Sequence, residues 1–431
     1  MYRGSITLRV LMNDILVGML EKKSTGAIFF WYDQTWLDNP NAIPVSLSLP
    51  LSTRAYTGAR VSNYFDNLLP DVDYIRKTIA EKVGAQGTDA FSLLEKIGGD
   101  CVGALQFLPE YREKEGRSEL VEYSDSEIAH ILRNLTISPL GIESDGEFRI
   151  SLAGAQEKTA LHQKDGKWFM PKGAMPTTHI LKPQIGKLGN GVDLSQSVEN
   201  EYFCLKFLEL FNIPINNPRI YDFDDMRALV VERFDRRFTS DNRLIRLPQE
   251  DLCQALSVPS TLKYQNQGGP GVVDVLKLLN AGDRAVEDKR LFLKVQILFW
   301  LISATDGHAK NFSIYLLPSG RYHLTPIYDV LSTQPMMDKG ELQAKEMKLA
   351  MSVGNSNHYR LSEITGRHFV QSAGKSGIVT AQNLVSEIIE DISDVANAKL
   401  MGFCDEISDV VPVNIIKPIV TIFEKRLKTL L

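Results

Sequence analysis

The sequence predicts an α+β fold of two lobes, with a β-containing N-terminal lobe and a mostly α-helical C-terminal lobe. The first observation is a series of short alternating segments near the N-terminus, separated by turn residues such as Asn13-Asp14. The second is a change near Gln249, after which helical patterns dominate. The third is an isolated strand–turn–strand pattern in that helical half, between Phe312 and Thr325. Two lobes with a cleft between them are the simplest packing, and such clefts are preferred ligand sites.

The size and composition are those of an ordinary globular protein. The chain has 431 residues, of which 44% are hydrophobic and 23% are charged. At roughly 100–200 residues per domain, this length suggests two or three packed units. The net charge of −5 disfavours tight DNA binding by the chain alone, because nucleic-acid binders usually carry a basic excess. The cysteines are far apart and form no C-x-x-C pair, so neither a disulfide framework nor a zinc site is expected.

The sequence contains no segment that resembles a signal peptide or a membrane-spanning helix. The N-terminal residues alternate like a strand and lack the apolar core of a signal peptide. The most apolar stretch, Leu291–Ala304, carries Lys294 and Gln296 and is too short to span a bilayer. We interpret this stretch as a buried helix, and we expect a cytoplasmic protein.

Residues 1–145 predict a β-rich N-terminal subdomain. After the first strands, a helical pattern extends from about Asn63 to Lys82. The glycine-containing segment 97–109 then returns to strand, and the charged segment 111–127 predicts a surface connection that leads into a short helix.

Residues 146–248 predict the nucleotide-binding part of the N-terminal lobe, and residues 249–431 predict the mostly helical catalytic lobe. The first of these regions contains a hairpin that turns at Lys164–Gly166, a short strand in HILKP, an amphipathic helix over Ser197–Phe211, and a strand that ends in VVERFDRR.

The most informative motif is DGHAKN, which runs from Asp306 to Asn311 and is followed by a hairpin and then by Asp329. Protein kinases use an Asp followed by Asn in a D-x-x-x-x-N spacing, with a second Asp further along the chain. Asp306 would serve as the base or positioning group for the attacking hydroxyl. The Asn311 amide oxygen and the Asp329 carboxylate would hold the Mg²⁺ that bridges the phosphates. His308 lies within this loop and suits a structural hydrogen bond or a phosphate contact.

A second candidate is Lys182, whose neighbours on the HILKP strand are apolar. A charge in such a position requires a partner. Kinases place a lysine of this kind against the ATP phosphates and pair it with a helix glutamate. The following helix offers Glu199 and Glu201, and the sequence does not choose between them.

The segment Ser151–Thr159 and the strand ending at Glu232 are weaker candidates. Gly154 lies between Ala153 and Ala155, and small residues permit close approach of the backbone to phosphates. The segment matches neither Walker A nor the kinase G-x-G-x-x-G pattern, and a tight hairpin turn explains it equally well. The Glu232-Arg233-Phe234 segment suits a hinge whose backbone meets the adenine edge.

Taken together, these residues resemble the HipA family of bacterial toxin kinases over essentially the whole chain. The resemblance is carried by the following strings: FDNLLPD (Phe65–Asp71), IGGDCVGAL (Ile97–Leu105), FRISLAGAQEKTAL (Phe148–Leu161), PTTHILKP (Pro176–Pro183), DLSQSVENEY (Asp193–Tyr202), VERFDRR (Val231–Arg237), IRLPQEDLCQ (Ile245–Gln254), GGPG (Gly268–Gly271), ATDGHAKNFS (Ala304–Ser313) and LTPIYD (Leu324–Asp329).

This resemblance implies a kinase-like fold and an ATP- and Mg²⁺-dependent serine/threonine protein kinase. HipA proteins phosphorylate a serine of glutamyl-tRNA synthetase, which halts translation and favours persistence. They also phosphorylate a serine of their own phosphate-binding loop, which ejects the loop and silences the enzyme, and the matching residue is Ser151. The site residues that the resemblance and the motifs together indicate are the catalytic Asp306, the metal ligands Asn311 and Asp329, and the nucleotide-side residues Ala153, Gly154, Ala155, Gln156, Lys158, Lys182, Glu232, Phe234, Gln249 and His308.

The resemblance also implies a partner, a small DNA-binding antitoxin of the HipB type. The complex represses its own operon, and the antitoxin supplies most of the affinity for operator DNA, which would reconcile an acidic chain with DNA. The segment MMDKGELQAKEM after Asp329 differs from the family pattern, so DNA contacts are not carried over beyond it.

Two other functions are compatible with the same residues. One is a kinase-fold enzyme that acts on a small hydroxyl compound, because such enzymes share the D-x-x-x-x-N element. The other is a non-catalytic co-repressor, which the presence of the expected Mg²⁺ and ATP residues disfavours.

Overall fold

The computed structural model describes residues 5–110, 119–142, 148–173 and 175–430. The chain divides into two compact units, each assembled from separate stretches. Unit 1 comprises Met1–Pro183, Tyr221–Thr261 and Ser313–Tyr322. Unit 2 comprises Gln184–Ile220, Leu262–Phe312 and His323–Leu431.

The strands of the described residues are, in chain order, β1 (Ile6–Met12), β2 (Ile15–Lys22), β3 (Ile28–Tyr32), β4 (Tyr56–Thr57), β5 (Leu105–Pro109), β6 (Glu119–Tyr123), β7 (Thr159–Lys164), β8 (Lys167–Lys172), β9 (His179–Pro183), β10 (Gly186–Lys187), β11 (Asp193–Leu194), β12 (Pro218–Phe223), β13 (Met226–Glu232), β14 (Arg236–Phe238), β15 (Leu244–Arg246), β16 (Gln249–Asp251), β17 (Ser313–Leu316), β18 (Tyr322–Leu324), β19 (Lys348–Val353) and β20 (His358–Arg360).

The α-helices of the described residues are α1 (Gln34–Leu37), α2 (Ala59–Asp66), α3 (Asp73–Val83), α4 (Ala90–Ile97), α5 (Asp125–Arg133), α6 (Ser197–Leu210), α7 (Leu252–Ala255), α8 (Val272–Leu279), α9 (Ala285–Leu301), α10 (Gln334–Asp338), α11 (Gly366–Lys375), α12 (Ala381–Ile407) and α13 (Val413–Leu430).

Unit 1 begins with a five-stranded antiparallel sheet in the order β4-β3-β2-β1-β5. The β1–β2 hairpin turns at Asn13 and Asp14, whose φ angles of 47° and 66° lie in the left-handed region that these residue types tolerate. Phe30 of β3, Phe65 of α2 and Phe107 of β5 pack in series, with ring centroids 5.7 Å apart in both pairs. These rings join the sheet to α2 in the core of unit 1.

The structure has two helices where the sequence predicted one. The prediction of a continuous helix from about Asn63 to Lys82 is wrong at its centre, because α2 ends at Asp66 and α3 begins at Asp73. Pro70 accounts for the break, since proline donates no backbone hydrogen bond and disfavours helix at the preceding residue. The intervening backbone pairs elsewhere: the Asp71 N–H donates to the Gly154 carbonyl over 3.1 Å.

A second sheet has six strands in the order β12-β13-β9-β7-β8-β6. It confirms the predicted β7–β8 hairpin and the HILKP strand, in which Lys182 lies opposite Leu229 of β13. The predicted surface connection over 111–127 is only partly described, because 111–118 lie outside the described residues. Its remainder is the edge strand β6, which pairs with β8, and then the start of helix α5.

Unit 2 is mostly helical, which together with the sheets of unit 1 confirms the α+β fold class. Phe207 of α6 packs with Phe203, with Phe211 and with Phe423 of α13 in its core. The predicted buried helix is α9, which extends further towards the N-terminus than its apolar stretch. Within the described ranges, no helix combines the length and the apolar character that crossing a membrane requires.

Candidate phosphoryl-transfer site

The D-x-x-x-x-N motif forms a closed loop in unit 2 directly after α9. The Asn311 side-chain N–H and the His308 backbone N–H both donate to the Asp306 carbonyl, each over 2.8 Å. Asn311 is only 5% exposed, whereas the Asp306 side chain is 60% exposed. The loop therefore presents one solvated carboxylate on a buried, hydrogen-bonded support.

Asp329 is connected to the same loop through its neighbour. The Tyr328 hydroxyl donates to the Lys310 carbonyl over 3.0 Å, so the residues directly before Asn311 and Asp329 are in contact. Asp329 has a φ of 61°, in the left-handed region that aspartate tolerates better than most residues other than glycine.

The donor chemistry of Asn311 and Asp329 fits Mg²⁺. Because the Asn311 amide nitrogen is engaged with the backbone, its amide oxygen is the atom suited to a cation, and carboxylate and amide oxygens are the hard ligands that Mg²⁺ accepts. Among the described residues, no group of three or more His, Cys, Asp or Glu could hold a metal ion.

The predicted phosphate-binding segment of unit 1 is closed on itself. Lys158 donates from Nζ to the Ala153 carbonyl over 2.8 Å, and Gly154 between them has a φ of 101°, which glycine adopts without strain. Ala155 is exposed and Gln156 is half-buried. An open pocket lies against this loop, lined in part by Pro70, Ile75 and Leu140.

Ser151, the predicted autophosphorylation residue, is fully buried. Its hydroxyl donates to the Leu68 carbonyl over 2.7 Å, and its backbone N–H donates to the Asp100 carbonyl over 3.0 Å. In this conformation the start of the loop is held by two segments of the N-terminal subdomain, and the Ser151 oxygen is inaccessible to a phosphoryl donor.

The other nucleotide-side candidates lie on the strands of unit 1. Lys182 on β9 and Gln249 on β16 are buried, with 6% and 5% of their surface exposed. Glu232 is exposed at the end of β13, and the carbonyl of Phe234 accepts a hydrogen bond from the Tyr315 hydroxyl over 2.9 Å. No described residue donates to the buried Oε1 of Gln249.

The predicted glutamate partner of Lys182 stays open. Glu199 accepts a hydrogen bond from the Gln184 side chain over 2.7 Å, and Glu201 is 2% exposed. Both belong to α6, and the pairing of either with Lys182 stays a prediction.

Sequence reasoning missed a buried cluster of charges behind the predicted hinge, which we call the charge cluster. It consists of Asp100, Arg233, Asp235, Arg236 and Arg246. The Asp100 carboxylate accepts from Arg236 over 2.7 Å, from Arg246 over 3.0 Å and from Arg233 over 3.2 Å. Burial alone would raise the pKa of the Asp100 carboxyl, but the three arginines outweigh it and hold that pKa well below its usual range.

The charge cluster connects the hinge strand to the IGGDCVGAL segment. The Arg233 and Arg236 guanidiniums both donate to the Cys101 carbonyl, over 2.9 and 3.0 Å. The Gly103 N–H donates to Asp235 over 2.6 Å. Since the backbone of Asp100 also accepts the Ser151 N–H, one residue supports both the predicted hinge connector and the predicted phosphate-binding segment. The acidic and basic residues of the IGGDCVGAL, VERFDRR and IRLPQEDLCQ strings were the sequence signal for it.

A second missed element, in unit 2, is a pair formed by Asn200 and Ser332. The Asn200 amide donates to the Ser332 carbonyl and accepts from the Ser332 N–H, each over 2.9 Å. The Ser332 hydroxyl donates to the Ile302 carbonyl over 2.6 Å. This pair joins α6 to the turn before Asp306 and to the segment after Asp329. Asn200 stands between the two glutamates that the sequence singled out.

Comparison with known proteins agrees with the family resemblance that the sequence strings indicated. Residues 8–108 match the model of the HipA N-terminal domain, and residues 150–400 match that of the HipA-like C-terminal domain. A protein of Sinorhizobium fredii named as a kinase, Y4mE, is 31% identical over 94% of this chain and 98% of its own length. The serine/threonine-protein kinase toxin HipA of Shewanella oneidensis is 28% identical over 81% of this chain and 79% of its own length.

The fold has a solved counterpart. HipA in the complex of Shewanella oneidensis HipA, HipB and operator DNA superposes with a TM-score of 0.80 at 23% identity, covering 98% of this chain and 97% of that one. The agreement of both family models, the near full-length relative and this fold leads to one assignment: the chain belongs to the HipA family.

Proposed function

We propose that this chain is an ATP- and Mg²⁺-dependent serine/threonine protein kinase that acts as a toxin. The observation that carries the proposal is the arrangement of Asp306, Asn311 and Asp329, in which one loop presents an exposed carboxylate above a buried amide and contacts the residue next to a second carboxylate. A relative named as a serine/threonine-protein kinase toxin supports it.

In this proposal the two units supply different parts of the chemistry. Asp306 accepts the proton of the attacking serine hydroxyl. The serine oxygen bonds to the γ-phosphorus, while the bond between that phosphorus and the oxygen of the β-phosphate breaks. Asn311 and Asp329 would hold the Mg²⁺, which would supply positive charge to offset the negative charge of the phosphates. Ala153 to Gln156, Lys158, Lys182 and Gln249 serve the phosphate and nucleotide side, Glu232 and Phe234 serve as the hinge, and His308 supports the catalytic loop.

We further propose that the protein target is a translation component, glutamyl-tRNA synthetase by family resemblance, and that Ser151 is the self-silencing site. Phosphorylation would replace a hydroxyl that donates to the Leu68 carbonyl with a group of about −1.5 to −2 charge that only accepts. A buried carbonyl cannot satisfy such a group, so the modified loop could not return to this conformation.

The binding partners and the domain boundaries that we propose rest on the same family resemblance. The solved relative is in complex with HipB and operator DNA, which supports a HipB-like antitoxin as the partner of this chain and DNA binding mainly through that complex in the cytoplasm. The proposed regions are 1–145, 146–248 and 249–431.

The test is phosphate transfer by the purified chain. Protein treated with a phosphatase is incubated with Mg²⁺ and ATP, and phosphate is mapped by mass spectrometry. We expect phosphate on Ser151 in the native chain. Asp306→Asn should slow its appearance by about 10²–10⁴-fold, since it removes a general base.

Asp394→Asn, on the exposed face of α12, is the matched control and should leave the rate unchanged. If the native chain gains no phosphate but still forms its antitoxin complex, the co-repressor function replaces the kinase function. Faster transfer to small alcohols than to protein would instead favour the small-hydroxyl enzyme.

A further inference from the structure

The GGPG string, Gly268–Gly271, has no role in the chemistry proposed above, yet it shapes a turn that reaches the catalytic loop. The chain folds back sharply after Leu262, so that the Gly269 N–H donates to the Tyr264 carbonyl over 3.0 Å. A Cβ at Gly269 would lie 2.0 Å from the Leu262 carbonyl oxygen. Only glycine permits this approach of backbone to backbone, which sets the position of Tyr264.

The same turn is anchored on its other side. The Oε1 of Gln265 accepts hydrogen bonds from the backbone N–H and the hydroxyl of Ser352, over 2.7 and 3.0 Å. Ser352 belongs to β19, which forms a two-stranded sheet with β20 in unit 2. Tyr264 is therefore held between a glycine-dependent fold and a strand.

Tyr264 and the residue before it contact the catalytic loop at three points. The Tyr264 hydroxyl donates to Oδ1 of Asp306 over 2.6 Å. Its ring meets the ring of His308 edge to face, with centroids 4.9 Å apart. The Ala309 N–H donates to the carbonyl of Lys263, the preceding residue, over 3.3 Å.

The hydroxyl contact matters because Asp306 is otherwise exposed. Its side chain is 60% exposed, and a solvated carboxylate samples several rotamers. A phenol-to-carboxylate bond of this length has the geometry of a charge-assisted hydrogen bond. It restrains one oxygen and leaves Oδ2, which lies 3.9 Å from Nε2 of His308, to accept the proton of an incoming hydroxyl.

We propose that Tyr264 is a positioning residue for phosphoryl transfer, whose hydroxyl holds the Asp306 carboxylate in the orientation that receives the acceptor hydroxyl. The inference rests on the proposed kinase function. In this proposal Tyr264 acts through Asp306 rather than on the nucleotide, so loss of its hydroxyl lowers the rate of transfer and leaves ATP binding as it was.

The test compares Tyr264→Phe with the native chain in the Ser151 phosphorylation assay. The ring and its contact with His308 remain in this variant, and only the hydroxyl is lost. At saturating ATP, we expect the rate to fall about ten- to a hundredfold, the range for the loss of a hydrogen bond to a charged group. The ATP concentration at half-maximal rate should stay at the native value, as should the ATP dissociation constant from calorimetry.

Tyr359→Phe is the matched control, since Tyr359 is a half-buried tyrosine of β20 in the same unit. It should transfer phosphate at the native rate. A double-mutant cycle then tests the route of the effect. If Tyr264 acts through Asp306, adding Tyr264→Phe to Asp306→Asn should produce little further loss.

Three results overturn the inference. A native rate in Tyr264→Phe would show that the hydrogen bond does not contribute, and a faster rate would show that Tyr264 occupies the acceptor's place. An equal loss in the Asp306→Asn background would show that Tyr264 acts independently of Asp306. Failure of the kinase function itself is recognised separately, because the native chain would then transfer no phosphate or would be insensitive to Asp306→Asn.

Discussion

The predicted site residues of unit 1 and of unit 2 are supported by different kinds of interaction. In unit 1, the predicted hinge strand and the predicted phosphate-binding segment converge on Asp100, a buried carboxylate among three arginines. In unit 2, the turn before Asp306 and the segment after Asp329 converge on Asn200 and Ser332, which exchange hydrogen bonds between neutral groups. The difference predicts that single substitutions will be more costly in unit 1, because an unpaired buried charge costs more than an unpaired amide.

The comparison extends to exposure. Ser151, Lys182 and Gln249 of unit 1 are buried, whereas the Asp306 side chain of unit 2 is 60% exposed. We infer that burial protects these three candidates of unit 1, while unit 2 offers the Asp306 carboxylate to solvent and restrains it with few hydrogen bonds.

The largest expected effect is that of Asp100→Asn. The substitution keeps the shape of the side chain but leaves the arginines of the charge cluster with one carboxylate fewer. Breaking a buried ion pair on one side costs about 3–5 kcal/mol, and we expect the free energy of unfolding to fall by this amount in urea denaturation.

Glu122→Gln is the contrasting control in the same unit. Glu122 pairs with Lys167 over 2.8 Å, but both side chains are more than half exposed. Exposed pairs contribute about 0–1 kcal/mol. If the two variants lost similar stability, the charge cluster would be no stronger a support than a surface ion pair.

Sequence reasoning succeeded for contacts between residues close together in the chain and failed for contacts between residues far apart. Asp306 and Asn311 are five positions apart in one loop, and the Asn311 side chain donates to the Asp306 carbonyl, so the D-x-x-x-x-N spacing singled out two residues that the structure brings together. The β7–β8 hairpin and the break-free helix α6 were predicted for the same reason. The partners Asp100 and Arg233 are 133 positions apart, and no local pattern relates them.

Two further failures have specific physical causes. The helix predicted across Pro70 had a suitable apolar periodicity, but the lack of a proline N–H and the pairing of Asp71 with Gly154 outweighed it. Tyr264 belongs to no sequence motif. Its contact with Asp306 depends on the close approach of the Gly269 backbone to the Leu262 carbonyl. Whether the predicted residues act as proposed stays a prediction.

Glu250→Gln should have the second-largest effect on stability, and one that depends on pH. Glu250 lies beside Gln249 on β16 and is fully buried, with Oε1 accepting the Leu47 N–H over 2.8 Å. Burial raises the pKa of its carboxyl from 4.5 to about 8.

The folded chain therefore binds one more proton at Glu250 than the unfolded chain between pH 4.5 and about pH 8. The stability that this group contributes is lost as pH rises through that window, by about 1.4 kcal/mol per pH unit at most. Glutamine keeps the acceptor and never ionises, so the variant should be a few kcal/mol (about 2–5) more stable than the native chain above pH 8. Urea denaturation at pH 5, 7 and 9 measures the difference, and an equal pH slope in both proteins would contradict it.

The smallest of these effects is expected for Asn200→Ala, and it tests the neutral support of unit 2. The substitution leaves the backbone N–H and carbonyl of the fully buried Ser332 without their amide partner, which costs about 1–3 kcal/mol. The rate of Ser151 phosphorylation should fall as well, since Ser332 also bonds to Ile302 in the turn before Asp306.

Asn397→Ala, at an exposed position of α12, controls for the loss of an asparagine from a helix. A stability loss as large as that of Asp100→Asn would remove the distinction between the two units, and an unchanged rate would show that Asn200 stabilises α6 without positioning the loop that carries Asp306.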